Sequence, residues 1–203
     1  LNRAAASVYE MGSTFKAFTV AIGLDAGVAT PETTFDAREP YKLGYRTIND
    51  YHAARKVLTL VEVFQHSSNI GTALMAESMG KEKLSKFYAD LGLLSPAHIE
   101  LQEVGKPLNP NPWTDLGALT ASYGHGVAVS PLQLASAVAT VVNGGLKVQP
   151  TLLKKEGTAT NATAVRVLSA QTSAHMRQLM RLVVENGTGR KAEVVGYRVG
   201  GKT

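Results

Sequence analysis

The sequence predicts an α+β fold in which helices cover an antiparallel sheet. Two patterns carry that expectation. Apolar residues recur at helical spacing through most of the chain, often between a capping residue and a glycine stop. The alternation expected of strands is concentrated near the end, at 192–195 and 197–199. Bulk composition agrees: 203 residues, 44% apolar and 18% charged, suffice for one domain with a sizeable core.

The first helix is expected around Ser13-Thr14-Phe15-Lys16, in an apolar pattern continuing through Ala17, Phe18, Val20, Ile22 and Leu24. Ser13 follows Gly12 and would open it. From Gly27 to Lys56, Pro31, Pro40 and Gly44 interrupt the pattern, which predicts irregular surface with short extended pieces. Thr59 and Glu62 fit a capping box for a short helix that carries Leu60, Val61 and Phe64 and ends near His66. Another helix runs from Ile70 to Ala76 and stops at Gly80. A third, 81–91, puts Leu84, Phe87, Tyr88 and Leu91 on one face.

A loop rich in Pro and Asn spans 96–113, and a short helix 115–122 leads into a turn at Tyr123-Gly124-His125-Gly126. The next helix has the clearest start, with Ser130 as cap, Pro131 in the first position and Gln133 completing a box. Its buried face is expected to be Leu132, Ala135, Val138, Ala139 and Val142. A strand at 147–154, a polar loop at 156–162 and a short extended piece at 165–168 follow. Ser169 then caps a long helix through Met176, Leu179, Met180, Leu182 and Val183, closed by Asn186-Gly187. Gly187-Thr188-Gly189 reads as a glycine-rich turn of little specificity.

Several function classes are disfavoured. The formal charge is +5, yet the basic residues are scattered or paired, so no nucleic-acid footprint and no nucleic-acid partner is expected. Cysteine is absent, which excludes disulfides, thiolate metal sites and cysteine catalysis. The longest stretch without formal charge, Leu116 to Leu146, contains Pro131, Gln133 and Asn143 and does not read as a membrane span. Leu1 is not a methionine, and Gly200-Gly201-Lys202-Thr203 reads as the middle of a strand, so the chain is expected to be a piece of something larger.

Three polar clusters carry the chemistry. In the first, helical spacing places Lys16 one turn above Ser13. A serine hydroxyl needs a base, and a lysine amine can serve if burial or nearby positive charge lowers its pKa from about 10.4. Free N–H groups at the helix start suit an oxyanion. The second cluster is Ser67 and Asn69, in a turn between two helices; the third is Lys202-Thr203, on a glycine-flanked strand. Each alone has an ordinary reading: a chance Ser-x-x-Lys, a helix cap at Ser67 with Asn69 satisfying the turn, a solvated strand lysine. Ser-x-x-Lys, Ser-x-Asn and Lys-Thr in that order form a signature of serine acyltransferases.

On these motifs the chain resembles, over nearly its whole length, the transpeptidase domain of class B penicillin-binding proteins of the cell-division, septal-peptidoglycan type. Tyr9-Glu10-Met11-Gly12-Ser13-Thr14-Phe15-Lys16 is similar to the active-serine segment, with Met11 where proline is common. Gln65-His66-Ser67-Ser68-Asn69 is similar to the second motif, and Gly200-Gly201-Lys202-Thr203 to the third. Tyr123-Gly124-His125-Gly126, Ser130-Pro131-Leu132-Gln133-Leu134-Ala135 and Asn143-Gly144-Gly145 resemble the stretch between them.

The resemblance implies that 1–203 are a partial transpeptidase domain with a penicillin-binding protein/serine β-lactamase-like fold. Its antiparallel sheet would be incomplete, with an exposed edge. It implies Ser13 as the nucleophile toward a D-Ala-D-Ala stem peptide or a β-lactam, and Lys16 as its base. Ser67 would relay a proton to the leaving group in the field of Lys202. Asn69 would bond Lys16 and the substrate amide, and Lys202 with Thr203 would bind the substrate carboxylate. The Ser13 N–H would supply half of an oxyanion hole whose other half lies beyond Thr203. No cofactor or metal is implied.

Implied partners are peptidoglycan stem peptides, β-lactam antibiotics and other cell-division or cell-wall proteins. The implied location is the bacterial inner membrane, with the catalytic domain in the periplasm. A serine β-lactamase or a β-lactam-sensing receptor domain of the same fold shares the motifs. The former needs a base for deacylation, and Glu100 and Glu103 lie in the relevant interval, although Leu101-Gln102-Glu103-Val104-Gly105 is more similar to penicillin-binding proteins.

Overall fold

A computed structural model describes residues 2–147, 149–154 and 165–203. Its helices are α1 (Arg3–Ala6), α2 (Lys16–Asp25), α3 (Leu60–Gln65), α4 (Asn69–Met79), α5 (Lys81–Asp90), α6 (Asp115–Ser122), α7 (Pro131–Val142) and α8 (Ala170–Asn186). The strands are β1 (Tyr9–Glu10), β2 (Thr34–Asp36), β3 (Tyr41–Leu43), β4 (Arg46–Ile48), β5 (Val57–Thr59), β6 (Ala128–Val129), β7 (Leu146–Lys147) and β8 (Val165–Arg166).

Helix α2 is the hub. Every residue from Lys16 to Gly23 is buried, and α3, α4, α5, α6, α7 and α8 all pack on it. A helix apolar on all sides is stable only when enclosed in this way. Phe15 meets Phe18 and Tyr88 edge-on, at ring-centroid distances of 5.4 and 5.5 Å. One polar residue inside this core is fully satisfied: Thr19 donates to the Ser122 carbonyl at 2.7 Å and shares a hydrogen bond with the Tyr88 hydroxyl at 3.0 Å. The two bonds tie α2 to α5 and α6 and leave the Thr19 hydroxyl satisfied, as buried polar atoms require.

Both capping boxes form, at Thr59/Glu62 and Ser130/Gln133, and Ser169 caps α8. Asp25, at the end of α2, accepts from the Ser169 N–H and the Thr172 hydroxyl, both at 2.8 Å, which locks α8 to the hub. The Ser13 segment differs from expectation. Gly12–Phe15 is a turn of 3₁₀-helix, and the α-helix begins only at Lys16.

Helix α7 is rotated relative to its apolar pattern. Gln133, Ala137, Thr140 and Val141 are buried, whereas Ala135 and Ala139 face solvent and Leu132, Val138 and Val142 are half-buried. The reason is polar: the Gln133 amide donates to the carbonyls of Gly92 at 3.1 Å and Ser95 at 2.7 Å while its oxygen completes the box with Ser130. An amide with three such partners outweighs a methyl or two of apolar burial in setting the rotation.

Among the described residues the strands form four separate two-stranded antiparallel ladders, β1–β6, β2–β5, β3–β4 and β7–β8, in place of the one sheet expected. The class remains α+β. The strand expected at 147–154 shortens to β7; residues 149–154 are irregular, and the loop expected at 156–162 lies outside the described residues. The strands expected at 192–195 and 197–199 are not formed. A 3₁₀ turn covers Arg190–Ala192 and irregular backbone follows, with Val195 99% exposed. Alternation gives a segment a strand's faces, but without a neighbour to pair its N–H and C=O groups it gains nothing from extension. Lys202 and Thr203 therefore sit on irregular backbone too.

Candidate active site

The site is assembled from three chain segments that meet at the start of α2. Gly12 has φ +52°, in the left-handed region, and turns the chain from β1 into the 3₁₀ turn that carries Ser13. The Lys16 N–H donates to the Ser13 and Thr14 carbonyls, so the serine and the first residue of α2 are held in one tight turn. Lys16 itself is 1% exposed.

The second segment is the turn between α3 and α4. Ser67 there has φ +59°, a conformation that a residue with a Cβ adopts only where its surroundings demand it. Ser68, and not Ser67, caps α4, its hydroxyl accepting from the Gly71 N–H at 3.0 Å. The Ser67 hydroxyl is thereby not used as a cap. Lys16 Nζ donates to the Ser67 carbonyl at 2.5 Å and to its hydroxyl at 3.0 Å.

The third segment is 199–203. Helix α8 holds it: the Gly201 N–H donates to the Met180 carbonyl at 3.1 Å, and Arg181 donates to the Val199 carbonyl at 2.8 Å. Arg181 is itself fixed by Glu185 at 2.8 Å and Glu193 at 2.6 Å. So anchored, Lys202 Nζ donates to the Ser67 hydroxyl at 2.9 Å and to the Thr203 carbonyl, and lies 5.9 Å from the centre of the Phe64 ring.

Lys16, Ser67 and Lys202 therefore converge, from positions up to 186 residues apart in the chain, on one hydroxyl. With both lone pairs of Ser67 Oγ taken by the lysines, its single proton is left to be donated elsewhere. Two ammonium groups on one hydroxyl repel. Burial, first, and the charge of Lys202, second, push the Lys16 amine down to about 7, while Asp50 opposes them. Burial pushes Lys202 down to about 8. An amine pushed down to about 7 can act as a general base, and Lys16 follows the half-buried Ser13 by three residues.

Asn69 opens α4, but its amide donates to the Asn49 carbonyl at 2.9 Å, and the Asn69–Lys16 bond expected from the sequence is not formed. Lys16 spends its donors on Ser67. The Thr203 hydroxyl lies 2.5 Å from that of Thr188. Sequence reasoning missed Thr188, whose glycine-rich turn is common, and Asp50, which lies in a segment without periodicity. Glu100 is taken up by Thr151 and by the Leu152 N–H at 2.9 Å.

A buttress stands behind the Ser13 turn. Gly124, at φ +90°, packs so closely on Gly12 that a Cβ there would come within 1.9 Å of the Gly12 carbonyl oxygen. Glu10 secures the same turn by accepting from the Gly126 N–H at 2.9 Å. Gly124→Ala is expected to displace the Ser13 turn and slow acylation by roughly 10- to 100-fold, because misplacement of a reacting group by about 1 Å has that cost. An acylation rate constant within twofold of wild type would show the turn to be passive.

The profile of the penicillin binding protein transpeptidase domain matches residues 1–203. The chain belongs to this family. A probable peptidoglycan D,D-transpeptidase FtsI of Caulobacter vibrioides is 58% identical over 206 residues, covering 100% of this chain and 35% of that protein. The peptidoglycan D,D-transpeptidase FtsI of Escherichia coli is 31% identical over 204 residues, covering 100% of this chain and 34% of that protein. The class B, division-type resemblance is borne out. Among solved structures, the apo transpeptidase domain of penicillin-binding protein 3 from Burkholderia pseudomallei superposes with a TM-score of 0.92 at 34% identity, covering 99% of this chain and 61% of that one. The penicillin-binding protein fold is thereby shown for this transpeptidase-family chain, which spans about a third of the length of these curated relatives.

Proposed function

We propose that residues 1–203 are part of a peptidoglycan D,D-transpeptidase domain and carry its acyl-transfer centre. The observation that supports this most is the Lys16–Ser67–Lys202 cluster beside the Ser13 turn. Ser13 Oγ attacks the carbonyl of the penultimate D-Ala of a stem peptide and gives its proton to the neutral Lys16 amine. The tetrahedral oxyanion is stabilised at the start of the 3₁₀ turn by the Ser13 N–H. Its collapse breaks the C–N bond to the terminal D-Ala, whose nitrogen takes a proton from Ser67, and Lys16 restores the proton to Ser67 along their hydrogen bond. An amine of a neighbouring strand then attacks the Ser13 ester, forming the crosslink and returning the hydroxyl.

Lys202 and Thr203 bind the substrate's terminal carboxylate, a task for a cation and a hydroxyl donor. Asn69 keeps its side-chain oxygen for the substrate amide, since its nitrogen is spent on Asn49. β-Lactams acylate Ser13 as substrate mimics. The whole protein works at the inner membrane with its catalytic part in the periplasm, among other cell-division proteins. Among the described residues, no helix is long and apolar enough to cross a membrane.

The test uses the full-length protein and a chromogenic cephalosporin. One equivalent should react quickly and turnover should be slow. Rapid multiple turnover would make the protein a β-lactamase, and failure to crosslink lipid-linked substrate after acylation would make it a sensor.

A further inference from the structure

We propose that Asp50 is a positioning residue of this site, its carboxylate fixing the Ser67–Asn69 turn while its charge stands beside Lys16. The inference rests on the functional reading above but not on its motifs.

Two consecutive residues, Asn49 and Asp50, hold three consecutive residues of the catalytic turn. The Ser68 hydroxyl donates to Asp50 Oδ2 at 2.8 Å, and the Ile70 N–H donates to Asp50 Oδ1 at 2.9 Å. Between them, the Asn69 amide donates to the Asn49 carbonyl at 2.9 Å. Ser68 is buried, and its hydroxyl both caps α4 and donates to Asp50, so the carboxylate sets the direction of the cap. A charged acceptor makes the stronger hydrogen bond, and a carboxylate at a helix N-terminus is favoured by the helix dipole.

Ser67, immediately before, needs such a clamp. Its left-handed backbone, at φ +59°, is strained for a residue with a Cβ. Released from Asp50, the turn can relax toward an ordinary conformation, and the hydroxyl that Lys16 and Lys202 share would move with it. The charge matters separately. The charged groups acting on Lys16 are Lys202, from the 199–203 segment, and Asp50, from the segment between β4 and β5. Asp50 thus offsets part of the repulsion between two lysines that meet on one hydroxyl.

The experiment compares Asp50→Asn and Asp50→Ala with wild type in the full-length protein. Two readouts are taken: acylation by a fluorescent penicillin from mildly acidic to alkaline pH, and hydrogen exchange at residues 67–70. Asp50→Ala should slow acylation by roughly 10- to 100-fold and speed exchange at the Ile70 amide by about tenfold. Asp50→Asn keeps the shape and loses the charge. It should retain more of the rate, with the midpoint of its pH profile moved to lower pH, because Lys16 loses the neighbour that favours its protonated form. A merely structural role would not move that midpoint.

An Asp50→Asn profile that superimposes on wild type overturns the proposal, as does unchanged exchange at Ile70 in Asp50→Ala. The exchange readout needs no acylation. Failure of the wild-type protein to acylate would therefore sink the functional reading while Asp50 was still tested.

Discussion

Ser13→Ala in the full-length protein is expected to abolish covalent labelling by a fluorescent penicillin. The effect should be all-or-none, because the variant turns the hydroxymethyl side chain into a methyl and so removes the oxygen that would form the acyl bond. The 3₁₀ turn is held by backbone bonds from Lys16 to the Ser13 and Thr14 carbonyls, which alanine keeps. The fold should therefore survive, with a melting temperature within a few degrees of wild type. Reversible binding of the drug should survive too, since Lys202 and Thr203 are untouched. Labelling that persists at a comparable rate would place the nucleophile on another residue.

Acylation by the wild-type protein should rise with pH and level off above a midpoint near 7. The sign follows from the role of Lys16: a base works when neutral, and the amine, lowered to about 7 by burial and by Lys202, is neutral above that value. Lys16→Arg should cost roughly 10²- to 10⁴-fold in the acylation rate, since a guanidinium keeps its proton and general-base catalysis is worth that much. A flat profile across mildly acidic to alkaline pH, or an arginine variant of near-normal rate, would remove Lys16 from the proton path.

The same depression has a consequence for the fold. Below about 7 Lys16 is charged in both folded and unfolded chains, and burying the charge opposes folding in full. Between about 7 and 10.5 the unfolded chain binds a proton that the folded one does not, so stability from this group rises with pH across that window. Near neutral pH the buried Lys16 therefore opposes folding.

Local signals were read well where they are self-contained. The capping boxes at Thr59/Glu62 and Ser130/Gln133 and the cap at Ser169 depend on residues three positions apart, and all three form. The family was legible for another reason: a fixed order of short motifs marks it without reference to backbone detail, and the family match over residues 1–203 bears that out. Readings failed where a partner far along the chain decides. Residues 192–199 alternate like a strand and find nothing to pair with. The apolar face of α7 yielded to the bonds of Gln133 with Gly92 and Ser95, some 40 residues earlier. Asp50 carries no signal in its own segment, because its meaning lies in Ser68 and Ile70.

By itself the sequence determined the helices, their caps and the family its short motifs mark, since these rest on neighbours within a turn or two. Only the tertiary structure decided that Lys16 and Lys202 share the hydroxyl of Ser67, that Asp50 bonds the Ser68 hydroxyl, and that Gly124 presses on Gly12 beside Ser13. The physical reason is range. Caps and periodicity act over a few residues, whereas a lysine's proton affinity is set by burial and by charges brought close through folding.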